Sequence, residues 1–419
     1  MPNTVKKCGM DGVYISGVVD LSISNLTIEN AGDNGLWINY CKKMTVNPPF
    51  SINNVGGHGI YASGPDFTLN NATIKDCGKD AIHFRYGKSL ILRDSVLENC
   101  GGGMIYKDEY KYPATGNATI ERNIIRNNDG SGLFVYLDGS TGKGEDVVLN
   151  DNIVTNNTEY GIKCNYRNNY IDSITIVNNT VKKCGMDGVY VSGVEHFTLF
   201  DNAIVSNKGH GINLHSSDSS RIYHNNLVNN SPNAYDSNSA GNDWHHPILL
   251  EGNYWSDYTG IDDGNGTGKH DVVGDGIGDM DLPHPGENYD YYPFVNENCW
   301  TWPKLNTIQV HTGKISYGLN KPVTVSCIVQ NDTGVNISVD DVTAKIVKPD
   351  NLTEWITLFE GSTGNCEGSF TNTSLFGTYN TTIHAYKIGY LYPVDNNSKL
   401  CFEVLPDHDI AVTNRLVAK

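Results

Sequence analysis

Through the first 230 or so positions, apolar residues alternate with period two in short runs, as at Val13 and Ile15, Leu36 and Ile38, Ile82 and Phe84, Val189 and Val191, Ile212 and Leu214. Such alternation points side chains to the two faces of a β-strand, and no run has the 3.6-residue period of a helix. Each run starts at a turn-to-strand junction: Gly12, Gly35, Gly59, Ala81, Gly103, Gly132, Gly161, Gly188 and Gly211, spaced 22 to 29 residues apart. A period in that range marks a solenoid, whose units bury their apolar surface by stacking on one another. Asn3–Val18 and Asn179–Val194 are identical except at Ile15 and Val191. The pattern predicts an all-β chain that begins with a right-handed parallel β-helix over residues 1–233.

Stacked coils turn sequence positions into columns about 4.8 Å apart. One column reads Asn25, Asn71, Asp94, Arg122, Asp151, Asn178, Asp201 and Asn225, and a second reads Asn123, Asn152, Asn179, Asn202 and Asn226. Asn and Asp tolerate left-handed turn geometry, and a stacked Asn can hydrogen-bond the coils on either side, so both columns are expected to be structural ladders. Cys8, Cys77, Cys100 and Cys184 form a third column of small side chains expected to be buried.

After residue 233 the pattern changes. Trp244, Tyr254, Trp255 and Tyr258 introduce an aromatic, Asp- and Gly-rich stretch over 234–300, which is expected to cap the last coil's open edge. Residues 301–405 then show antiparallel-type strand runs separated by turns every eight to twelve residues, the spacing of an immunoglobulin-like β-sandwich. Residues 406–419 read as the opening strand of a further domain. With no signal peptide at its start, the sequence is expected to be part of a longer one.

The formal net charge of -17 leaves no basic stripe for nucleic acid, and no run of 18 apolar residues is present to span a membrane. Glycosylation sequons at Asn331, Asn336, Asn351, Asn372, Asn380 and Asn396 point to an exported protein at the cell surface. Within the cap, Asp262–Asp279 alternates Asp with Gly and Asn. Closely spaced carboxylates on a flexible loop suit Ca²⁺, which takes six to eight oxygen ligands. Asp262, Asp263, Asp271, Asp275 and Asp279 are the candidate ligands, set against the alternative of a solvated acidic loop.

The segments GNYWSDYTGIDDGNG at Gly252–Gly266, GDGIGD at Gly274–Asp279 and DYYPF at Asp290–Phe294, together with the Asn-rich coils, resemble the NosD-like parallel β-helix proteins. The resemblance covers residues 1–295 and implies a surface protein of a type common in archaea and bacteria. Its name derives from an accessory protein for copper insertion, so copper delivery is one implied role. Copper needs a His, Cys or Met cluster, and His245 and His246, adjacent in sequence, point to opposite faces of a strand.

Two classes of function remain open on the residues. The outward positions of the first strand of each coil form a column of Tyr14, Trp37, Tyr61, His83, Phe134 and Tyr190, interrupted by Ile105 and Lys163. Rings repeating along a coil axis suit stacking on successive sugars of a polysaccharide, and they also suit plain cross-strand packing. The rival class is a polysaccharide lyase or glycoside hydrolase, a fold-level analogy to pectate lyases, with Asp80, His83, Arg85 and Lys107 as its candidate catalytic group. The tripeptides Gly57-His58-Gly59 and Gly209-His210-Gly211 sit at ordinary coil junctions, in one column with Asp11, Asn34, Asp80 and Asp187, which places Asp80 one coil from His58 and Asp187 one coil from His210.

Overall fold

A computed structural model describes residues 3–87, 89–107, 117–137, 146–166, 173–265, 275–280, 288–303, 305–387, 390 and 399–406. The chain divides into two compact units, Met1–Thr259 with Asp281–Glu297, and Gly260–Met280 with Asn298–Lys419.

The first unit is a parallel β-helix with three faces. One face is a ten-stranded parallel sheet running from Val13–Ser16 to Ala234–Ser237, each strand paired to that of the next coil. The other two faces merge into one eighteen-stranded sheet, because long strands such as Lys43–Val55 continue around the corner between them. Inward apolar residues fill the coil interior, among them Leu36, Ile60, Ile82, Leu133, Ile162 and Val189, all with no exposed surface. Every predicted junction falls in register: Gly12 N donates to Asn34 O, Gly35 N to His58 O, and Gly59 N to Asp80 O. A Cβ on Gly35 would lie 2.7 Å from the Gly59 carbonyl oxygen and 2.6 Å from Ile52 Cγ2, so this glycine lets adjacent coils close to hydrogen-bonding distance.

The first Asn/Asp column takes left-handed backbone at each corner, with φ between 49° and 56° from Asn25 through Asp201. Its last member is His224 (φ 55°), which corrects the expectation of Asn225 there. The Asn225-Asn226 pair imitates the corner pairs of earlier coils, but the coil is one residue out of step with that reading. His224 is held by Glu251, 2.8 Å from its Nε2, and by Asp201 at 3.5 Å from Nδ1. Asn225 therefore belongs to the inner ladder, and Asn226 lies within the strand Asn226–Val228.

That inner ladder has a direction. The backbone N and the side-chain Nδ2 of Asn123 both donate to Oδ1 of Asn152, at 3.0 Å each. Asn152 donates likewise to Asn179, Asn179 to Asn202, Asn202 to Asn225, and Asn225 to Asn253. Each carboxamide oxygen accepts two bonds from the coil before it, and each Nδ2 also reaches carbonyls of neighbouring turns, as Asn179 Nδ2 does at Leu149 O and Val177 O. A second ladder runs through the cysteine column: Asn128 donates to Asn157, Cys184 N to Asn207, and Asn207 to Asn230. The expected burial of the cysteines holds for Cys77, Cys100 and Cys184, all free thiols, while Cys8 is half-buried. Burial pushes the Cys184 thiol up to about 11, so it stays protonated near neutral pH.

A ladder of donors must end on oxygens that accept without an amide to pass the bond on, and three Asp side chains provide them. Asp290 Oδ2 takes Asn253 N at 2.8 Å, Asn253 Nδ2 at 3.3 Å and Trp255 Nε1 at 2.8 Å. Asp257 Oδ1 takes Asn233 Nδ2 at 2.7 Å, after Asn230 has donated to Asn233. Asp236 Oδ2 takes Asn242 Nδ2, Trp244 Nε1 and Asn288 Nδ2. Trp244 and Trp255, both fully buried with ring centroids 5.7 Å apart, cover the coil interior beside them. Tyr254–Trp255 adds one further short strand to the sheet.

In the second unit, Leu305–Thr312, Val323–Asn331, Phe359–Ser362 and Asn365–Phe370 form a four-stranded antiparallel sheet. Ser316–Tyr317, Asp341–Val347, Thr353–Thr357, Gly377–Tyr386 and Lys399–Val404 form a five-stranded sheet, antiparallel apart from its short edge strand. Val325, Val329, Ile346, Phe370, Tyr379 and Phe402 pack between the two sheets in one core, the arrangement of a β-sandwich. The expected class, all-β with a parallel β-helix followed by a sandwich, is borne out. Among the described residues no helix is long and apolar enough to cross a membrane.

Two predictions follow from the ladders. Asn179→Ala leaves several buried donors and acceptors without partners, and is expected to cost roughly 3 kcal/mol. That appears as a lower urea midpoint with faster amide exchange in the coils of Asn152 and Asn202; an unchanged midpoint refutes the ladder's structural role. Burial pushes the carboxyl of Asp290 from 3.8 up to about 7, although Trp255, Asn253 and Tyr292 donate to it and pull the other way. The folded chain then binds the proton more tightly than the unfolded chain does. This stabilising contribution, a few kcal/mol at most, is complete below about pH 4 and is lost as pH rises through about 7. Urea midpoints taken from pH 4 to 8 are expected to fall along that range, and less steeply in Asp290→Asn; identical slopes would acquit Asp290.

Candidate functional site

The residue before each junction and the residue two after it project outward from the face of the ten-stranded sheet, three positions apart across the turn into the strand. Consecutive coils therefore bring four such side chains together. At the coils of His58 and Asp80 these positions hold His58, Tyr61, Asp80 and His83, with Tyr61 paired in register to His83. His83 Nδ1 lies 3.0 Å from Asp80 Oδ2, and His58 Nδ1 lies 3.2 Å from the same oxygen. The first contact is a hydrogen bond; the second has ion-pair distance but poor direction, and among the described residues His58 Nδ1 has no hydrogen-bond partner. The side chains of His58, Asp80 and His83 keep 15%, 16% and 16% of their surface, so the group is recessed yet open to solvent. Burial raises the Asp80 carboxyl, but the close approach of the two imidazoles, His58 at 3.2 Å and His83 hydrogen-bonded at 3.0 Å, outweighs it and holds the group at about 2. Asp80 is thus an anion at any working pH.

The ring column is real and divides in two. Tyr14, Trp37, Tyr61 and His83 occupy successive coils, with centroids 5.2, 5.9 and 5.3 Å apart; the first two contacts are edge-to-face and the third is stacked at 8°. Tyr14 is 55% exposed. Beyond Ile105, Lys163 Nζ sits over the rings of Phe134, Tyr160 and Tyr190 at 5.1, 4.8 and 6.0 Å. Phe134 and Tyr190 therefore face a cation of their own chain.

Of the candidate catalytic group, Asp80 and His83 meet directly. Arg85 Nη1 donates to Tyr61 Oη at 3.1 Å, and its guanidinium lies over the Tyr86 ring. A guanidinium keeps its proton in proteins, which does not suit Arg85 to act as a base. Lys107 is opposite Arg85 in the sheet register, and its side chain lies outside the described residues, as do Asp108 and Glu109. Next to Asp80 a cavity of about 220 Å³ is lined by Asp129, Ser131, Phe134 and Glu159. Asp80's other neighbour is Gly102, where a Cβ would lie 2.5 Å from Asp80 Oδ1.

A reduced version of the His–Asp group recurs where the same column holds Asp187 and His210. His210 Nδ1 lies 2.9 Å from Asp187 Oδ1, and Asn213 Nδ2 donates to Asp187 Oδ2 at 2.9 Å.

The acidic loop lies in the second unit. Asp279 Oδ2 accepts from Asp263 N at 2.7 Å and Gly264 N at 2.6 Å, Asp262 Oδ2 accepts from Gly276 N, and Asp275 Oδ1 from Ile277 N. Burial, opposed by the N–H groups of Gly264 and Asp263, leaves the Asp279 carboxyl raised. Its Oδ1 is buried with no hydrogen-bond partner among the described residues. Asp271 lies outside the described residues. His245 packs against Tyr291 and Tyr292, while His246 Nδ1 accepts from Ile248 N and Leu249 N, so the two share no ligand set. Among the described residues, the one group of three ligating side chains whose donor atoms all lie within 4.8 Å is His58, Asp80 and His83.

The sequence columns placed Asp80 beside His58, but the three-way meeting with His83 requires one further fact, that the residue before a junction and the residue two after it lie on the same side of the strand. Lys163's capture of the neighbouring rings had no signal beyond its place in the column.

A three-faced parallel β-helix with its polar chemistry on the outside of one sheet is the class of protein that this fold and surface define. Residues 49–260 match the family model of the periplasmic copper-binding protein NosD, and the chain belongs to the NosD family. The resemblance to that family is thereby borne out, the match covering the coils from residue 49 and the tail as far as residue 260. No curated protein matches the chain by sequence. Among solved structures it is similar to the periplasmic alginate epimerase AlgG, at 12% identity and a TM-score of 0.35 over 52% of this chain and 64% of that one. It is also similar to the enzymatically active domain of bacteriophage CBA120 tailspike protein 2 (11% identity, TM-score 0.42, 97% and 72% covered). A third is the A-module of the mannuronan C-5 epimerase AlgE4 of Azotobacter vinelandii (15% identity, TM-score 0.31, 58% and 84% covered). The chain spans less than two thirds of the AlgG length, and likeness at these levels concerns the fold alone.

Proposed function

We propose that the chain is an exported surface protein that engages polysaccharide along the outer face of its ten-stranded sheet. The observation that carries this reading is the in-register row Tyr14, Trp37, Tyr61 and His83, with ring centroids 5.2 to 5.9 Å apart and Tyr14 largely exposed. A row of rings offers apolar area to successive sugars, while Arg85, bonded to Tyr61 Oη, supplies a polar flank. Phe134 and Tyr190 belong to the same reading as a secondary stretch in which Lys163 adds a positive charge. The sandwich serves as a spacer, and we take it to be immunoglobulin-like: buried Tyr379 both donates to Leu375 O and accepts from Leu375 N, a corner bond of that class. Export agrees with a family described as periplasmic.

The acidic loop is proposed to hold Ca²⁺ through Asp279 with Asp262, Asp263, Asp271 and Asp275. Support comes from Asp279 Oδ1, a buried oxygen with no partner among the described residues, in a loop of carboxylates. A second functional reading, cleavage of the glycan, is favoured by the cavity beside Asp80 that Asp129 and Glu159 also line. There Asp80, held at about 2, would serve as a nucleophile or charge stabiliser and not as an acid.

Incubated with neutral and acidic polysaccharides, the chain is expected to be retained without releasing reducing or unsaturated ends. Trp37→Ala or Tyr61→Ala should weaken retention roughly ten-fold, about the worth of one aromatic contact. Retention unaltered in both variants removes the ring row as the binding surface, and product release that Asp80→Asn abolishes establishes cleavage instead. For the loop, millimolar Ca²⁺ is expected to raise the unfolding temperature of the chain but not that of Asp279→Asn; no rise in the parent chain refutes the site.

A further inference from the structure

Within the recessed group on the outer face, His58, Asp80 and His83 each offer one ligand atom within 4.8 Å of the others, and both imidazoles turn Nδ1 toward Oδ2 of Asp80. The two nitrogen–oxygen distances are 3.2 and 3.0 Å. A tetrahedral ion with bonds near 2.05 Å has donor–donor edges of about 3.3 Å, so each imidazole nitrogen already stands close to coordinating separation from the Asp80 oxygen. His58 Nδ1 has no hydrogen bond although it is buried, a donor in place without a proton partner of good geometry. Tyr61 stacks on His83 at 8° and lies 5.7 Å from His58, which fixes both imidazole planes from one side.

We propose that His58, Asp80 and His83 form a binding site for one late first-row divalent ion, with at least one coordination position left open to the outer face. Two imidazoles and one carboxylate suit Zn²⁺ or Cu²⁺, and poorly suit Ca²⁺ or Mg²⁺, which take oxygen ligands. Copper is the metal that the family description names, and this donor set fits it. Three protein ligands are the complement of a site that keeps a position for water or an incoming ligand, in contrast to a closed structural site. The Asp187–His210 pair provides an internal comparison: Asn213 stands where a second imidazole would be needed, and a pair lacking it holds no ion of this kind with comparable affinity. The site stands independently of glycan binding, because its three donors meet without any contribution from a sugar.

The test is titration of the full chain with Zn²⁺ by calorimetry, and with one equivalent of Cu²⁺ followed by pulsed EPR that counts coordinated imidazoles. The expected result is one ion per chain with two imidazole nitrogens on Cu²⁺. His58→Ala and His83→Ala should each weaken binding by more than the 10–100-fold that loss of an outer-shell partner costs, and leave one imidazole, while His210→Ala leaves binding unchanged. Absence of binding, binding unaltered by His58→Ala and His83→Ala, or binding lost in His210→Ala overturns the assignment. Should a variant fail to fold, the imidazole count on the parent chain decides alone: fewer than two overturns it.

Discussion

The constraint on which the β-helix depends is the one-way hydrogen bonding of its inner asparagines. In a parallel stack every coil meets its two neighbours through different edges, and a carboxamide at the corner answers both: its oxygen takes two donors from one side, and its nitrogen gives to the other. Because these groups are buried, each unmade bond would cost about as much as a desolvated polar group. The stack therefore cannot simply stop. Asp290, Asp257 and Asp236 close it, and the tryptophans that donate to two of them also seal the apolar interior. The motif residues around Trp255 and Asp290 thus make one physical device, a terminus that accepts bonds and excludes water.

The outer face follows from the same regularity. A repeat that must keep its inward residues apolar and its corners left-handed leaves the outward junction positions free to vary, and chemistry accumulates there. The same column holds Asp11, Asn34, His58, Asp80, Asp187 and His210, and neighbouring members bond to one another, as Asn34 does to Asp11 through Nδ2 at 2.9 Å. Most of these contacts stitch coils together. At Asp80 the column supplies one imidazole and Asp80's own strand the other, and a stitching position becomes a group with ligand geometry.

Much of the fold was legible because a solenoid converts spacing into contact. Gly12 through Gly211 mark the coils correctly, and the contact of Asp80 with His58 can be read from two numbers and a period. The reading slipped by one at His224, where an Asn-Asn pair follows the true corner and no Asn or Asp occupies it. The terminating carboxylates escaped altogether: Asp257 and Asp290 lie beyond the repeat, separated by a stretch with no periodicity, and only the three-dimensional path returns Asp290 to Asn253. Asp279 shows the opposite case. Its place among acidic residues suggested a metal ligand, while two backbone N–H groups bind one of its oxygens in a way that no composition could indicate.

The near-identity of Asn3–Val18 and Asn179–Val194 acquires a meaning from the directional ladder. From Asn123 onward a coil presents the same acceptors and donors to whatever precedes and follows it, and the closing carboxylates touch only the last coils. Whole coils can thus be gained or lost by unequal exchange of the coding sequence without rewriting either the interior or the stop. The number of turns becomes a freely adjustable dimension, and a protein of this architecture sets its reach by copying itself.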